Sequence, residues 1–235
     1  MKIKKFLPVI VALALTFTGL TACSTEERGD DEDVTLSENS GVCDMNAVSA
    51  EIDSMRISSF TETAEKSEYV KFTVKDYGEF VIRLRADVAP ITVDNFQNLV
   101  AEKFYDGIIF HRVMKNFMIQ GGDPDGDGSG GSDKKIKGEF AANGVRNQMS
   151  HVSGVISMAR LGNDMNSATS QFFICNDDAS YSLDGKYAAF GYVVAGMETV
   201  LLISDTEVTY NAYGTEKSVP LTKVVIEKVR FVEKQ

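Results

Sequence analysis

The sequence predicts an all-β domain, an antiparallel barrel or sandwich with only two helices, and three observations carry that prediction. Short strand-like runs recur from Tyr69 to Val232. Only two segments in that span, one opened by Pro90 and one at Gly196–Ser204, show helical character. Strands and helices do not alternate, which argues against a parallel α/β sheet.

The elements follow in order. Val70, Phe72 and Val74 alternate with polar residues, Asp76-Tyr77-Gly78 turns, and Phe80, Ile82 and Leu84 alternate again. Two period-2 runs across a Gly-containing turn predict a β-hairpin. Pro90 opens a helix, where its fixed φ and missing N–H are harmless. Val93, Phe96, Leu99 and Val100 give that helix an apolar stripe. Strands are predicted at Ile108–His111, Phe117–Gln120, Gly154–Ala159, Gln171–Cys175 and Ala189–Val194, with a Val-rich final strand at Leu221–Val232. No internal repeat is present.

The first 67 residues read differently. Lys2, Lys4 and Lys5 precede an almost wholly apolar run, Phe6 to Leu20, too short to span a bilayer comfortably and laid out as a secretory signal. Leu20-Thr21-Ala22-Cys23 then resembles the lipobox of bacterial lipoproteins. The resemblance implies a signal peptide over 1–22, cleavage before Cys23 and acylation of that cysteine with diacylglycerol and palmitate-type chains. An uncleaved signal anchor is the competing reading. Residues 23–67 follow as an acidic tether, with Glu26, Glu27, Asp30, Asp31, Glu32, Asp33 and Glu38 relieved only by Arg28. Such a composition cannot offset chain entropy, so the tether is expected to be largely disordered. Ala47 to Met55 carries a weak helical pattern. The folded domain is expected over 68–234.

Composition narrows the function. The 235 residues are 43% hydrophobic and 25% charged, with a net charge of -10. That charge disfavours nucleic acid as a partner, and Lys134, Lys135 and Lys137 fit a solvated loop. Cys23, Cys43 and Cys175 cannot form a disulfide framework, and with only His111 and His151 no zinc spacing exists, so no metal is expected. Asp123, Asp125, Asp127 and Gly128 open like a calcium loop, but Lys134 stands where the bidentate Glu is needed. Gly126, Gly128 and Gly131 fit G-x-G-x-x-G without a strand–turn–helix frame. A Cys175–His nucleophile pair is a further minor reading, against which a cysteine ending an apolar strand is usually a small buried hydrophobe.

The most informative stretch is Phe110-His111-Arg112-Val113-Met114-Lys115-Asn116-Phe117-Met118-Ile119-Gln120-Gly121-Gly122-Asp123. If Phe117 to Gln120 is a strand, Phe117 and Ile119 share one face while Met118 and Gln120 share the other. With Arg112 on the neighbouring strand, a guanidinium, an aromatic, a thioether and an amide gather at one corner. That set has no carboxylate pair and no activated nucleophile; it suits an apolar, uncharged group held beside a hydrogen-bonding cation.

That stretch, with Gly154-Val155-Ile156-Ser157-Met158-Ala159, Ser170-Gln171-Phe172-Phe173-Ile174-Cys175 and Leu183-Asp184-Gly185-Lys186-Tyr187-Ala188-Ala189-Phe190-Gly191, resembles the cyclophilins. The similarity runs in order from about Glu68 to Val232. It implies a closed eight-stranded antiparallel barrel capped by two α-helices, and peptidyl-prolyl cis/trans isomerisation of X-Pro bonds without a cofactor. It also implies that Arg112 is the catalytic arginine, with Phe117 and Gln120 in the catalytic set. Met118, Phe173 and Leu183 would join Phe117 around the proline ring, and Gln120 and Gln171 would hydrogen-bond the substrate or brace Arg112. Ala159 and Arg160 would contact the peptide backbone, with His111 behind the site and Tyr187 at its rim. Ser182 and Tyr187 replace the tryptophan and histidine of the best-known members, and Tyr181 is the candidate to fill the tryptophan's space. The expected partners are proline-containing polypeptides and, through the anchor, a membrane. The expected state is a monomer on the outer face of the bacterial cytoplasmic membrane or the periplasmic side, assisting exported proteins to fold. A proline-peptide binding module with little turnover is the runner-up.

Overall fold

The computed structural model describes residues 55–235. The signal segment, Cys23, Cys43, the tether as far as residue 54 and nearly all of the weak helical pattern at Ala47–Met55 lie outside the described residues.

Among the described residues, twelve strands and three α-helices follow one another. In chain order they are β1 (Phe60–Glu62), β2 (Tyr69–Val74), β3 (Gly78–Leu84), α1 (Pro90–Ala101), β4 (Ile109–Phe110), β5 (Arg112–Met114), β6 (Met118–Gly121), β7 (Val155–Met158) and β8 (Phe172–Cys175). The remainder are α2 (Ser180–Leu183), β9 (Ala188–Ala195), α3 (Met197–Ser204), β10 (Val208–Tyr210), β11 (Lys217–Pro220) and β12 (Val224–Lys234). The fold is mostly β with few helices, and every strand pair is antiparallel. Hydrogen bonding runs β1-β12-β2-β3-β9-β7-β8-β6-β5, β4 pairs with β12, and β10 and β11 pair with each other. Among the described residues no helix is long and apolar enough to cross a membrane.

The predicted hairpin forms as β2 and β3, with Val74 opposite Gly78 and Asp76 and Gly78 at positive φ in the turn. Its alternating residues bury one face, and Phe72 stacks on Phe80 at 4.7 Å. Helix α1 lays Val93, Phe96, Leu99 and Val100 into the same core, where Phe96 meets Phe172 edge-on at 6.0 Å and Phe190 at 5.2 Å. Its N-cap residue, Ala89, offers no side-chain cap. Buried Glu139 does so from a distance, accepting from the N–H groups of Ile91 (3.1 Å) and Thr92 (2.8 Å) and from the Thr92 hydroxyl (2.7 Å). A carboxylate there satisfies orphan donors and meets the positive end of the helix dipole. Strand β9 is buried along its whole length, as expected of a continuous apolar run covered on both faces. Gly191 within it is required by close approach, since a Cβ there would lie 2.5 Å from the Arg83 carbonyl oxygen.

The order and bounds of the elements depart from the sequence expectations in four places. Packed structure reaches back beyond Glu68: Met55 and Phe60 are buried, Phe60 meets Tyr69 at 5.3 Å, and β1 pairs with the far end of β12. The acidic, polar surroundings of Phe60 hid this edge strand, which depends on the length of β12. The hairpin of β10 and β11 leaves little signal in the sequence because its short strands are largely exposed and carry little alternation. Residues Ser180–Leu183 form a third, one-turn helix. The final strand begins at Val224, and Leu221 is exposed.

Candidate active site

Strands β5 and β6 pair with Arg112 opposite Gln120, Val113 opposite Ile119 and Met114 opposite Met118. Strand β6 pairs in turn with β8, setting Gln120 opposite Phe173 and Met118 opposite Cys175. Opposed residues share a face of a sheet. Val113, Ile119, Phe172 and Ile174 therefore enter the main core, while Met118, Phe173 and Cys175 form a separate apolar cluster with Ala179 and Leu183. Above that cluster opens a cavity of about 640 Å³ lined by His111, Arg112, Phe117, Met118, Gln120, Ala159, Arg160, Phe173, Leu183 and Tyr187.

Phe117 corrects the alternation argument, which put it with Ile119. It packs against the Met118 cluster because it lies in the turn before β6, not in the strand. Asn116 takes positive φ in that turn, a conformation asparagine tolerates. Asn176 fastens the turn, accepting from Phe117 N–H (2.7 Å) and donating to the Met114 carbonyl (2.9 Å). Nothing in the sequence singled out Asn176.

A chain of side-chain amides holds the polar edge. Arg112 Nη1 donates to Gln120 Oε1 (3.1 Å), Gln120 Nε2 to Gln171 Oε1 (2.9 Å), and Gln171 Nε2 to the carbonyls of Gly130 (2.7 Å) and Gly128 (3.1 Å). The acidic glycine loop is thereby tied to the site. Its Asp123 carboxylate is spent on the loop's own backbone, accepting from the N–H groups of Asp125, Asp127 and Gly128 at 2.9, 3.2 and 2.6 Å. Among the described residues no group of three or more His, Cys, Asp or Glu side chains is placed to hold a metal ion.

On the other side Arg112 meets Glu216, a partner the sequence did not announce. Nε and Nη2 donate to the two carboxylate oxygens at 2.7 Å each. The fork holds Glu216's carboxyl down at about 2, against its partial burial, with help from the Ser218 hydroxyl. Arg112 also lies over the Phe117 ring at 6.0 Å. Tyr210, Asn211, Ala212 and Tyr213 of the β10–β11 hairpin extend the cavity wall beside Glu216.

The remaining expected residues fall around the same opening. Leu183 is buried on α2, and Tyr187 meets Phe173 edge-on at 5.6 Å. Ala159 N–H donates to the Gln171 carbonyl (2.9 Å). Arg160 lies over Tyr187 at 4.8 Å, with its Nε donating to the Lys186 carbonyl (3.0 Å). His111, next to Arg112 in the chain, is buried at the cavity wall, and burial lowers its pKa despite the nearby Asp123. Tyr181 does not fill the space expected of it: it is fully exposed and lines no part of the cavity. Residues 180–183 form a helical turn that aims Leu183 inward and Tyr181 outward.

Beneath Phe173, His151 stacks at 6.0 Å, with Nδ1 2.8 Å from Asp184 and Nε2 3.0 Å from Ser157 Oγ. All of Ser157 is buried, and burial pushes the Cys175 thiol up to about 12. A thiol so far from ionising is no nucleophile. The cysteine packs as a small apolar residue in the Met118 cluster.

The arrangement can seat an apolar ring on Met118 and Phe173 and present a fixed cation at its edge. A model of the cyclophilin type peptidyl-prolyl cis-trans isomerase family matches residues 69–231, and the chain belongs to that family. Its activity is peptidyl-prolyl cis–trans isomerisation. It is similar to a peptidyl-prolyl cis-trans isomerase of the bacterium Acinetobacter baylyi, 38% identical over 162 residues, 66% of this chain and 80% of that protein. Peptidyl-prolyl cis-trans isomerase-like 1 of Gibberella zeae is 38% identical over 159 residues, 67% of this chain and 91% of that protein. The crystal structure of a Cryptosporidium parvum cyclophilin type isomerase in the presence of the dipeptide Ala-Pro superposes with a TM-score of 0.61 at 28% identity. It covers 69% of this chain and 98% of that one.

Proposed function

We propose that this isomerase twists X-Pro bonds of exported polypeptides with Arg112 as its catalytic residue, while anchored to a membrane by acylated Cys23. The observation that carries the catalytic part is Arg112 Nη1, fixed by Gln120 at the edge of the cluster formed by Met118, Phe173 and Leu183. The C–N bond resists rotation by ~18–20 kcal/mol because of its partial double-bond character. Twisting localises the lone pair on the prolyl nitrogen. A guanidinium N–H donated to that nitrogen is stronger in the twisted state than in the planar one, and such a difference lowers a barrier. Phe117, Met118, Phe173 and Leu183 grip the ring, while Ala159, Arg160, Gln171 and Tyr187 border the peptide. The Ala-Pro dipeptide with the Cryptosporidium relative supports proline-containing peptides as ligands.

The sheet pairings also support a closed eight-stranded barrel. β4 and β5 are separated only by His111, β4 pairs with β12 and β5 with β6. Taken as one kinked strand, they return the path β12-β2-β3-β9-β7-β8-β6 to β12, with α1 and α3 as the two caps.

Lys2 to Leu20 and the lipobox-like Leu20–Cys23 support export and anchoring on the outer face of the cytoplasmic membrane or the periplasmic side. Two or more acyl chains hold a protein far more firmly than one, at about 0.8 kcal/mol per buried CH₂. Uncatalysed isomerisation takes ~10–100 s, so a monomeric foldase beyond the membrane has a clear use. Two measurements test these readings. Purified protein should accelerate isomerisation of an X-Pro test peptide; binding without acceleration would make it a docking module. Cys23→Ala should abolish acylation and leave an unprocessed or released protein; a processed, acylated variant would refute the anchor.

A further inference from the structure

Glu216 reaches Arg112 from 104 residues further along the chain, on a hairpin that pairs only with itself. The tip of that hairpin is braced. Asn211 N–H donates to the Glu216 carbonyl (2.8 Å), Thr215 N–H to Asn211 Oδ1 (3.0 Å) and Gly214 N–H to the Asn211 carbonyl (2.9 Å), with Gly214 at positive φ. The hydroxyl of buried Ser218 supports the Glu216 carboxylate. Strand β11 lies against β5, so the carboxylate arrives on the same side of the sheet as the guanidinium.

A guanidinium has five N–H donors in a rigid fork. Glu216 takes Nε and one hydrogen of Nη2, beside Met114 Sδ at 3.2 Å. Gln120 takes one hydrogen of Nη1, and Met118 Sδ accepts the other at 3.8 Å. The ion pair therefore occupies the edge turned away from Met118 and keeps the second Nη1 hydrogen on the cavity floor, where only the weak thioether acceptor of Met118 holds it. The two side chains are 32% and 28% exposed, so solvent alone would not hold this orientation. An arginine held by one amide could swing; held from both edges, it cannot.

The geometry points to Glu216 as a positioning residue for the isomerisation: it clamps Arg112 so that Nη1 faces the bound proline. This rests on the catalytic reading of Arg112. Against it stands the opposite effect of a carboxylate, which weakens the cation it pairs with and would make the hairpin a brake.

The sign of one substitution decides. Glu216→Ala should lower kcat about tenfold with KM within about twofold, because misplacement of a reacting group costs rate without loosening the apolar grip. Glu216→Gln, which keeps the shape and one acceptor, should fall between. In an Arg112→Ala background, Glu216→Ala should cost nothing further, as expected when one residue acts through the other. Unchanged melting temperatures would confirm that folded protein is being compared. A rate equal to or above the natural one in either single variant would overturn the proposal, as would an undiminished loss in the double variant. If Arg112→Ala alone retained full activity, the catalytic reading itself would fail, a result distinct from failure of the clamp.

Discussion

Met118 and Ile119 are adjacent in the chain, yet they belong to different parts of the protein. Ile119 joins Val113, Phe172 and Ile174 in the main core, where Phe172 touches the rings of Phe72, Phe96, Tyr105 and Phe110. Met118 joins Phe173 and Leu183 beneath a cavity edged by Arg112 and Gln120. Both faces are apolar and both are well buried. The difference is what lies at their margins: further aromatic rings on one side, and a hydrogen-bonded chain from Gly130 through Gln171, Gln120 and Arg112 to Glu216 on the other. A strand pair thus supplies stability with alternate residues and leaves the rest free for chemistry.

The largest effect that separates the two faces is on stability. Phe172→Ala should cost about 3–5 kcal/mol by emptying the centre of the aromatic cluster. Turnover per folded molecule should stay near normal, since no cavity-lining residue is removed. Denaturant unfolding together with the isomerase rate below the transition checks both halves. A folded variant with lost turnover would show that the core face also shapes the site.

A second effect concerns the rim. Ser182 is turned back into its own helical turn, donating to the Ala179 carbonyl at 3.1 Å, and Tyr181 points into solvent. In the family, cyclosporin A packs on the tryptophan that Ser182 replaces and gains a hydrogen bond from its indole. The missing aromatic area and donor should weaken the drug by roughly one and a half to three orders of magnitude. Substrate proline sits deeper, on Met118 and Phe173, so turnover should persist. Titrating the drug against activity in the natural protein and in Ser182→Trp should show weak inhibition in the first and much stronger inhibition in the second. Tight inhibition of the natural sequence would mean that another rim residue, such as Tyr187, already supplies that contact.

The smallest effect is on pH. Burial lowers the pKa of His151 below the ordinary 6.5, with Asp184 opposing. The folded protein therefore holds this imidazole neutral while the unfolded chain protonates it near 6.5. Its contribution to stability is complete above that pH and is lost as pH falls toward the lower folded value. His111 has the same sign, so the melting temperature should decline below about pH 6.5, and His151→Gln should flatten part of that slope. An unchanged slope would mean that His151 is not held neutral.

How much of this was legible in the sequence follows from the range of the forces involved. Alternation in Val70–Val74 and Phe80–Leu84, and the stripe on Pro90–Ala101, are local signals, and the elements they predict are present. Arg112, Met118, Gln120 and Phe173 stand out through blocks of motif and meet at one cavity, which Gln171 joins through Gln120. Glu139 capping α1, Asn176 fastening the turn before β6, and Glu216 on Arg112 were not legible. Each is a polar residue whose partner lies far along the chain, and neither periodicity nor composition registers such a contact. Phe60 escaped for the same reason, as a single buried ring in a polar stretch.

The central claim, that Arg112 acts on the twisted bond and the apolar face merely holds the ring, has a direct measurement. Turnover of an X-Pro peptide and its binding affinity are determined for the natural protein, Arg112→Ala and Arg112→Lys. Turnover of the alanine variant should fall by about two to three orders of magnitude, roughly 3–4 kcal/mol of transition-state stabilisation. Affinity should fall far less, and lysine, lacking the planar fork, should restore little. A folded alanine variant that isomerises the peptide at nearly the natural rate would contradict the account.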